Sequence, residues 1–327
     1  MKAFVTGGTG FIGTHLIQEL DQAGWEIVAL HRPNSDLREL KKCRKIELCV
    51  GDITDAESLH RAIPEKVDAV FHVAGSVGNI PHAQESSRYL VNQTGSRNMV
   101  EACWQKEVGR FIYTSTVLTY DFHAFRPLTE NASPNLWCKD PYIHSKRLAD
   151  EEIQRGQSLG LDVVYLHPSA VFGAYDKDTW SKMFLEIQRG LPLPFAPPGG
   201  GSVCHARPVA QAHVAAFSKG KSGQHYILGG PDVTWLQVAQ QIAELLKKTS
   251  PRWALPDLLF KIYGWSEFSI SNLLGREPML TPHTIDILSE TINSISARAI
   301  NELSYTPSSL REMLVDCHQW MVREGML

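Results

Sequence analysis

The sequence predicts an α/β fold, a doubly wound parallel sheet with a smaller, mixed C-terminal lobe. Three observations predict it. Short β-rich runs alternate with longer helical stretches through the first half; a glycine-rich turn separates the first strand from the first helix; and after Gly173 the pattern breaks into Pro/Gly-rich loops.

Taken in order, Ala3–Val5, Glu26–Leu30, Lys45–Val50, Ala69–Val73, Phe111–Thr114 and Val163–Leu166 read as strands, with a helix from Phe11 to Ala23 after the first. Another helix starts near Tyr142 and runs through Leu148 and Ile153. Beyond Gly173 come the loop LPLPFAPPGGG (191–201), a short strand at 225–228, a helix over about 234–248 and an aromatic helical segment at 253–274. An amphipathic helix, Leu310–Val322, closes the chain and reads as packing. These later pieces are too broken for another parallel sheet, so a small lobe closing over the strand ends is expected.

With 327 residues, 43% of them hydrophobic, the chain can bury a sizeable core. Lys and Arg number 32 against 35 Asp and Glu, a net charge of -3 with no dense basic run, which excludes a nucleic-acid partner. Cysteines 43, 49, 103, 138, 204 and 317 form neither CxxC pairs nor a disulfide framework, and His72, His144 and His167 lack a spacing such as HExxH, so no metal is expected. The N-terminus enters its glycine turn without room for a leader, and no apolar run approaches membrane-spanning length; a cytoplasmic protein without membrane insertion is expected.

TGGTGFIG (6–13) puts Gly7, Gly10 and Gly13 between strand and helix, where a pyrophosphate approaches the backbone and meets the unpaired N–H groups of the helix start. The second strand ends in His31-Arg32-Pro33 with no carboxylate; Arg32 can take a 2′-phosphate, which favours NADP(H), with NAD(H) as the alternative. Asp52 of GDITD can accept from the adenine amino group, or serve as a cap of the following helix, while Ile53 covers the ring. Val73, Ala74 and Gly75 end the fourth strand with small residues beside the ribose.

Tyr142 and Lys146 in YIHSK are four apart on one helix face, so the ammonium can lower the phenol's pKa and reach the nicotinamide ribose. Thr114-Ser115-Thr116 delivers hydroxyls at a strand's C-terminal end, where such sheets bind ligands; Thr116 can hold the substrate oxygen, with Ser115 the alternative.

In this order and spacing, TGGTGFIG, GDITD, HVAG, TST and YIHSK resemble the extended short-chain dehydrogenase/reductases over essentially the whole chain. The resemblance implies a Rossmann-type domain at 1–172, with 203–222 returning to it, and a substrate lobe from 173–202 and 223–327. It implies Thr116, Tyr142 and Lys146 as the catalytic group, and adds Thr9, Phe11, Ile12, Thr114, His167, Pro168 and Val171 to the cofactor contacts. It also implies a possible homodimer through the helix bearing Tyr142.

Within the family, His167 where sugar-nucleotide enzymes commonly carry Arg, the HRPNSD strand end, Arg207-Pro208 and an aromatic lobe favour the branch resembling dihydroflavonol reductase and 3β-hydroxysteroid dehydrogenase. Few cations besides Arg189 and Arg252 offer themselves to a diphosphate. The expected reaction is NADP(H)-dependent hydride transfer to a hydrophobic carbonyl compound or from its alcohol. Expected pocket walls are Ser76, Val77, Thr116, Phe125, Phe172, Trp180 and Phe184, with His123, Trp137, Met183 and Phe195 nearby. Tyr263, Trp265 and Phe268 either join them or form a dimer or membrane-skimming face. The rivals are a nucleotide-sugar epimerase or dehydratase holding NAD tightly and a non-catalytic NAD(P) sensor.

Overall fold

A computed structural model describes residues 1–77, 85–190, 195–276 and 280–327. The strands are β1 (Lys2–Thr6), β2 (Glu26–His31), β3 (Ile46–Val50), β4 (Ala69–His72), β5 (Arg110–Thr114), β6 (Val163–Pro168), β7 (Ala170–Phe172), β8 (Phe195–Ala196), β9 (Gly200–His205), β10 (His225–Leu228), β11 (Asp232–Thr234), β12 (Trp253–Ala254) and β13 (Thr291–Ile292). The helices are α1 (Phe11–Gln22), α2 (Ala56–Ala62), α3 (Glu85–Tyr89), α4 (Gly95–Gln105), α5 (Pro141–Ser158), α6 (Ser181–Gln188), α7 (Ala206–Lys219), α8 (Trp235–Leu246), α9 (Asp257–Leu273), α10 (Pro282–Ser289), α11 (Ala297–Leu303) and α12 (Leu310–Arg323).

Seven parallel strands form the main sheet in the order β10-β6-β5-β4-β1-β2-β3. Alternation along β1 builds both faces: Ala3 and Val5 pack with Leu16 and Ile17 of α1 and Val209 of α7, while Phe4 packs with Leu59 of α2, Met99 of α4 and Ile153 of α5. The doubly wound fold follows. The chain winds outward from β1 to β3, then restarts at β4 on the other side. This reversal opens a crevice at the carboxyl ends of β1 and β4, the place where such sheets take ligands.

One feature departs from the sequence reading, and a second was left open by it. The strand at 225–228, expected in the smaller lobe, pairs with β6 and closes the edge of the main sheet. The smaller lobe, expected to be mixed and too broken for another parallel sheet, contains a mixed four-stranded one in which β9 pairs antiparallel with β11 and parallel with β7 and β13. Its partners are only two or three residues long, too short to carry a period. Phe172, Phe184, Trp235, Val238, Leu314 and Trp320 fill the core beneath it. Reciprocal capping boxes start α8 (Thr234 with Gln237) and α12 (Ser309 with Glu312).

Candidate functional site

The three glycines of the first turn do different jobs. Gly7 has φ +74°, and a Cβ there would lie 2.5 Å from the Ala74 nitrogen, so it lets β1 and the end of β4 touch. A Cβ on Gly13 would lie 1.9 Å from the Gly7 carbonyl oxygen, so this glycine brings α1 against the turn. Gly10 differs: its added Cβ would meet only the Gly7 oxygen, at 3.2 Å. It is the N-cap of α1, with extended backbone and no side chain bonding the first-turn amides. The fold leaves that helix end open toward a cavity, a seat that fits the pyrophosphate of a dinucleotide.

That cavity, of about 720 Å³, runs along the crevice. It is lined at one end by Arg32, Asp52 and Ile53, then by Gly7, Thr9, Gly10, Phe11, Ile12 and Gly13, and by Val73, Ala74, Gly75, Ser76 and Val77. Thr114, Thr116, Tyr142 and Lys146 line its middle, Pro168 and Val171 follow, and Trp180 stands at the far end. The crevice brings all of these sequence-expected residues together. Arg32 is exposed and opens a side recess with Pro33, Asn34, Ser35 and Asp52. Its turn is held by the Arg32 N–H donating to Ser35 Oγ (3.2 Å) and the Ser35 N–H donating to the Arg32 carbonyl (3.0 Å). Asp52 is not the helix cap: Asp55 caps α2, while Asp52 Oδ1 accepts from the Thr54 N–H and hydroxyl at 2.9 and 2.8 Å.

Asp140 caps α5 by accepting from the Ile143 N–H at 2.8 Å, with Pro141 in the first turn, and this start sets Tyr142 and Lys146 over the end of β5. The Leu118 N–H donates to Thr116 Oγ1 at 3.3 Å, and the Thr116 hydroxyl acts to lower the Tyr142 phenol's pKa against its burial. The Arg88 guanidinium lies 5.6 Å from the Tyr142 ring centroid.

Lys146 is held by strand β5. Its Nζ donates to the Tyr113 hydroxyl at 2.8 Å and to the Thr114 carbonyl at 2.9 Å. Burial pushes the Tyr142 phenol up to about 12, while the Thr116 hydroxyl and the Arg88 guanidinium act to lower it. Burial also pulls Lys146 down to about 8, with Asp150 opposing. Asp150, one turn on, accepts from Ser115 Oγ at 2.7 and 3.0 Å, and burial raises its pKa against the opposing Lys146 ammonium and the neighbouring hydroxyls. Sequence reasoning missed these partners, Tyr113 for Lys146 and Asp150 for Ser115. The one local signal is the acid four residues beyond Lys146 on the same helix face.

Three expected substrate walls and one expected cofactor contact, His167, lie elsewhere. Phe172 and Phe184 are fully buried in the small-lobe core. Phe125 sits exposed in a turn capped by Asp121. His167 lies behind the cavity, its Nδ1 3.2 Å from the Thr116 carbonyl and its Nε2 2.9 Å from Nδ1 of His225. Nor do His123, Trp137, Met183 or Phe195 line it, and Trp137 is 84% exposed. The missed walls are Thr179, Gly200 to Ser202, Trp235, Ile287 and Ile292. Trp180 stacks between Phe172 and Trp235 at 4.8 and 4.6 Å between centroids. Among the described lining residues the formally charged side chains are Arg32, Asp52 and Lys146, all on the glycine-turn and Tyr142 side.

The fold and this crevice define a dinucleotide-binding enzyme scaffold. Residues 3–229 match the model of the NAD dependent epimerase/dehydratase family, and the chain belongs to that family. It is 28% identical to a putative dihydroflavonol 4-reductase of Synechocystis sp., over 98% of this chain and 95% of that protein. It is 27% identical to sterol demethylase protein B of Methylococcus capsulatus, over the full length of both. Among solved structures, gox2253 superposes with a TM-score of 0.83 at 25% identity, covering 99% of each chain. UDP-glucuronic acid 4-epimerase from Bacillus cereus in complex with NAD superposes with a TM-score of 0.76 at 18% identity, covering 99% of this chain and 97% of its own, a likeness of fold.

Proposed function

We propose that this protein is an NADP(H)-dependent reductase/dehydrogenase acting on a carbonyl or secondary alcohol of a hydrophobic small molecule, in the manner of dihydroflavonol reductase. The observation that carries this reading is the polarity of the cavity. Its substrate end joins Trp180, Trp235, Ile287 and Ile292 to the Thr116 and Tyr142 hydroxyls and, among the described lining residues, adds no cation to Lys146, so a substrate diphosphate would lose its charge partners there. The names of the first two relatives, a dihydroflavonol 4-reductase and a sterol demethylase protein, agree with an apolar substrate.

The amides at the start of α1 bind the pyrophosphate, and Arg32 with the Asn34–Ser35 turn takes the 2′-phosphate in the side recess. The nicotinamide, when bound, supplies or takes up the hydride. Thr116 and Tyr142 hold the substrate oxygen between their hydroxyls. Tyr142, kept protonated by its burial, gives its proton to that oxygen as the carbonyl is reduced. Lys146, fixed by the Thr114 carbonyl and Tyr113, places a positive charge beside the reacting groups and toward the ribose.

The test is NADPH consumption against a panel of aromatic and aliphatic ketones. Tyr142→Phe should cut turnover by about 10²–10⁴-fold with NADPH binding kept. Arg32→Ala should weaken NADPH by about 10–100-fold and leave NADH unchanged. A protein that is purified with NAD bound, interconverts sugar nucleotides and turns over no ketone would overturn the reading in favour of epimerase or dehydratase chemistry.

A further inference from the structure

Helix α9 buries little of itself. Phe260 and Gly264 face inward, Gly264 so close to α10 that a Cβ would meet Ile285 at 2.6 Å. On the opposite side Leu258, Leu259, Ile262, Trp265, Ile270 and Leu273 are between 50 and 85% exposed. At 100° per residue they span an arc of roughly 140° that contains Ser266 and Ser269 but no charged residue. An unpartnered arc of this size calls for an occupant.

Charge chooses among the occupants. The nearby carboxylates are mostly engaged: Glu244 with Arg311, Asp257 with Lys261, Glu290 with Arg126, and Glu267 with Ser271 and the Leu280 N–H; Asp286 stands near Lys261. Lys247, Lys248 and Arg252 before the helix and Arg276 after it are exposed and make no ion pair among the described residues. A second copy paired stripe to stripe would set these cations against each other, whichever way the helices ran. An apolar stripe with tryptophan in it and unpaired cations at both ends instead matches an anionic lipid surface. No helix among the described residues is long and apolar enough to cross a membrane, so α9 would lie along the surface.

We infer that α9 docks this protein on membranes containing anionic lipid, its apolar arc among the acyl chains and the flanking cations at the headgroups. The docked helix is the outer layer of the cavity wall, because α10, against which it packs, contributes Ile287 to the lining. A membrane-dissolved compound would then meet the enzyme at the substrate end.

The test is co-sedimentation of the full chain with vesicles of phosphatidylcholine alone or mixed with phosphatidylglycerol. Binding is expected to the mixed vesicles and to weaken with salt. Replacing Leu258, Ile262 and Leu273 together by serine should weaken it about 100-fold or more, with thermal melting and dinucleotide binding retained. Neutralising Lys247, Lys248 and Arg252 with glutamine should remove the preference for the anionic vesicles. Protein that stays in the supernatant with both vesicles overturns the inference; so does a dimer seen by light scattering that the serine variant dissociates, which would make a second copy the occupant. The readout involves no turnover, so it stands or falls apart from the reductase reading.

Discussion

Gly10 and Gly13 are three residues apart in one turn, and the structure separates their roles sharply enough to predict opposite phenotypes for the same substitution. In Gly13→Ala the new methyl would sit 1.9 Å from the Gly7 carbonyl oxygen, backbone that cannot swing aside, so α1 must move off β1. Forced overpacking of this kind costs about 3 kcal/mol or more, which lowers Tm by about 4 °C or more in a chain of this size. In Gly10→Ala the methyl meets one atom at 3.2 Å and the residue's φ of -85° suits alanine. The cost is that of alanine for glycine at an N-cap, at most about 1 kcal/mol and a Tm change of about 2 °C. The methyl would instead stand where the pyrophosphate must approach the amides of α1. Losing one charge-assisted hydrogen bond costs about 1.5–3 kcal/mol, or 10–100-fold in Kd. Thermal melts and fluorescence titrations with NADPH and NADH on the two variants measure both quantities. Gly10→Ala binding either dinucleotide as tightly as the unmodified protein would refute the assignment of this helix end to the pyrophosphate.

Further outcomes follow from the buried groups. With Lys146 held down to about 8, ketone reduction should fall as pH rises through that value, because the ammonium is lost while Tyr142, near 12, keeps its proton; a pH–rate profile flat through this range would contradict the role of Lys146. Asp150→Asn removes the carboxylate that raises Lys146, so the same alkaline limb should move to lower pH. His15, His72, His167, His213 and His225 are pulled by burial to about 4, 3, 4, 4 and 4 from an unfolded value of 6.5. Below 6.5 the unfolded chain binds the extra protons, so stability is full above that pH and is lost progressively toward 4; acid titration of the denaturant midpoint measures it. Trp180→Ala should raise KM for an apolar ketone with NADPH affinity unchanged, whereas Phe184→Ala, in the core, should cost about 3–5 kcal/mol of stability with KM unchanged in the folded enzyme.

The main sheet was legible because its strands are runs of buried Val, Ile, Leu and Phe that local pattern exposes, and all of the first six begin within a residue of where the sequence puts them. The small lobe was not, and the reason is steric. Gly200 and Gly201 let β9 lie against three short neighbours, with added Cβ atoms reaching 2.2 Å from the Val233 oxygen and 2.5 Å from the Ile292 oxygen. In the sequence the same glycines read as a loop, because only the chain segments they touch, some thirty and ninety residues away, reveal them as strand. The strand at 225–228 was found and misassigned for a related reason: four residues fix a conformation but not a partner.

The site divides along the same line. The glycine turn is one local unit and α5 another, so their spacing in sequence is their geometry in space, and every residue read from them lines the cavity. What the spacing left open there is a direction: helical spacing puts Lys146 on the face of Tyr142, and the carbonyl of Thr114 and the hydroxyl of Tyr113, both on β5, take the hydrogen bonds of its ammonium. At the substrate end no local unit exists. Trp180 precedes α6, Trp235 opens α8, and Ile287 and Ile292 come from α10 and β13, so that wall is assembled across more than a hundred residues. Aromatic content predicted its character, and Trp180 was named correctly, but Phe172 and Phe184 were equally aromatic and turned into the core. Composition therefore carries the chemistry of the pocket, whereas the choice among substrates of that chemistry resides in contacts between segments that no window of sequence contains.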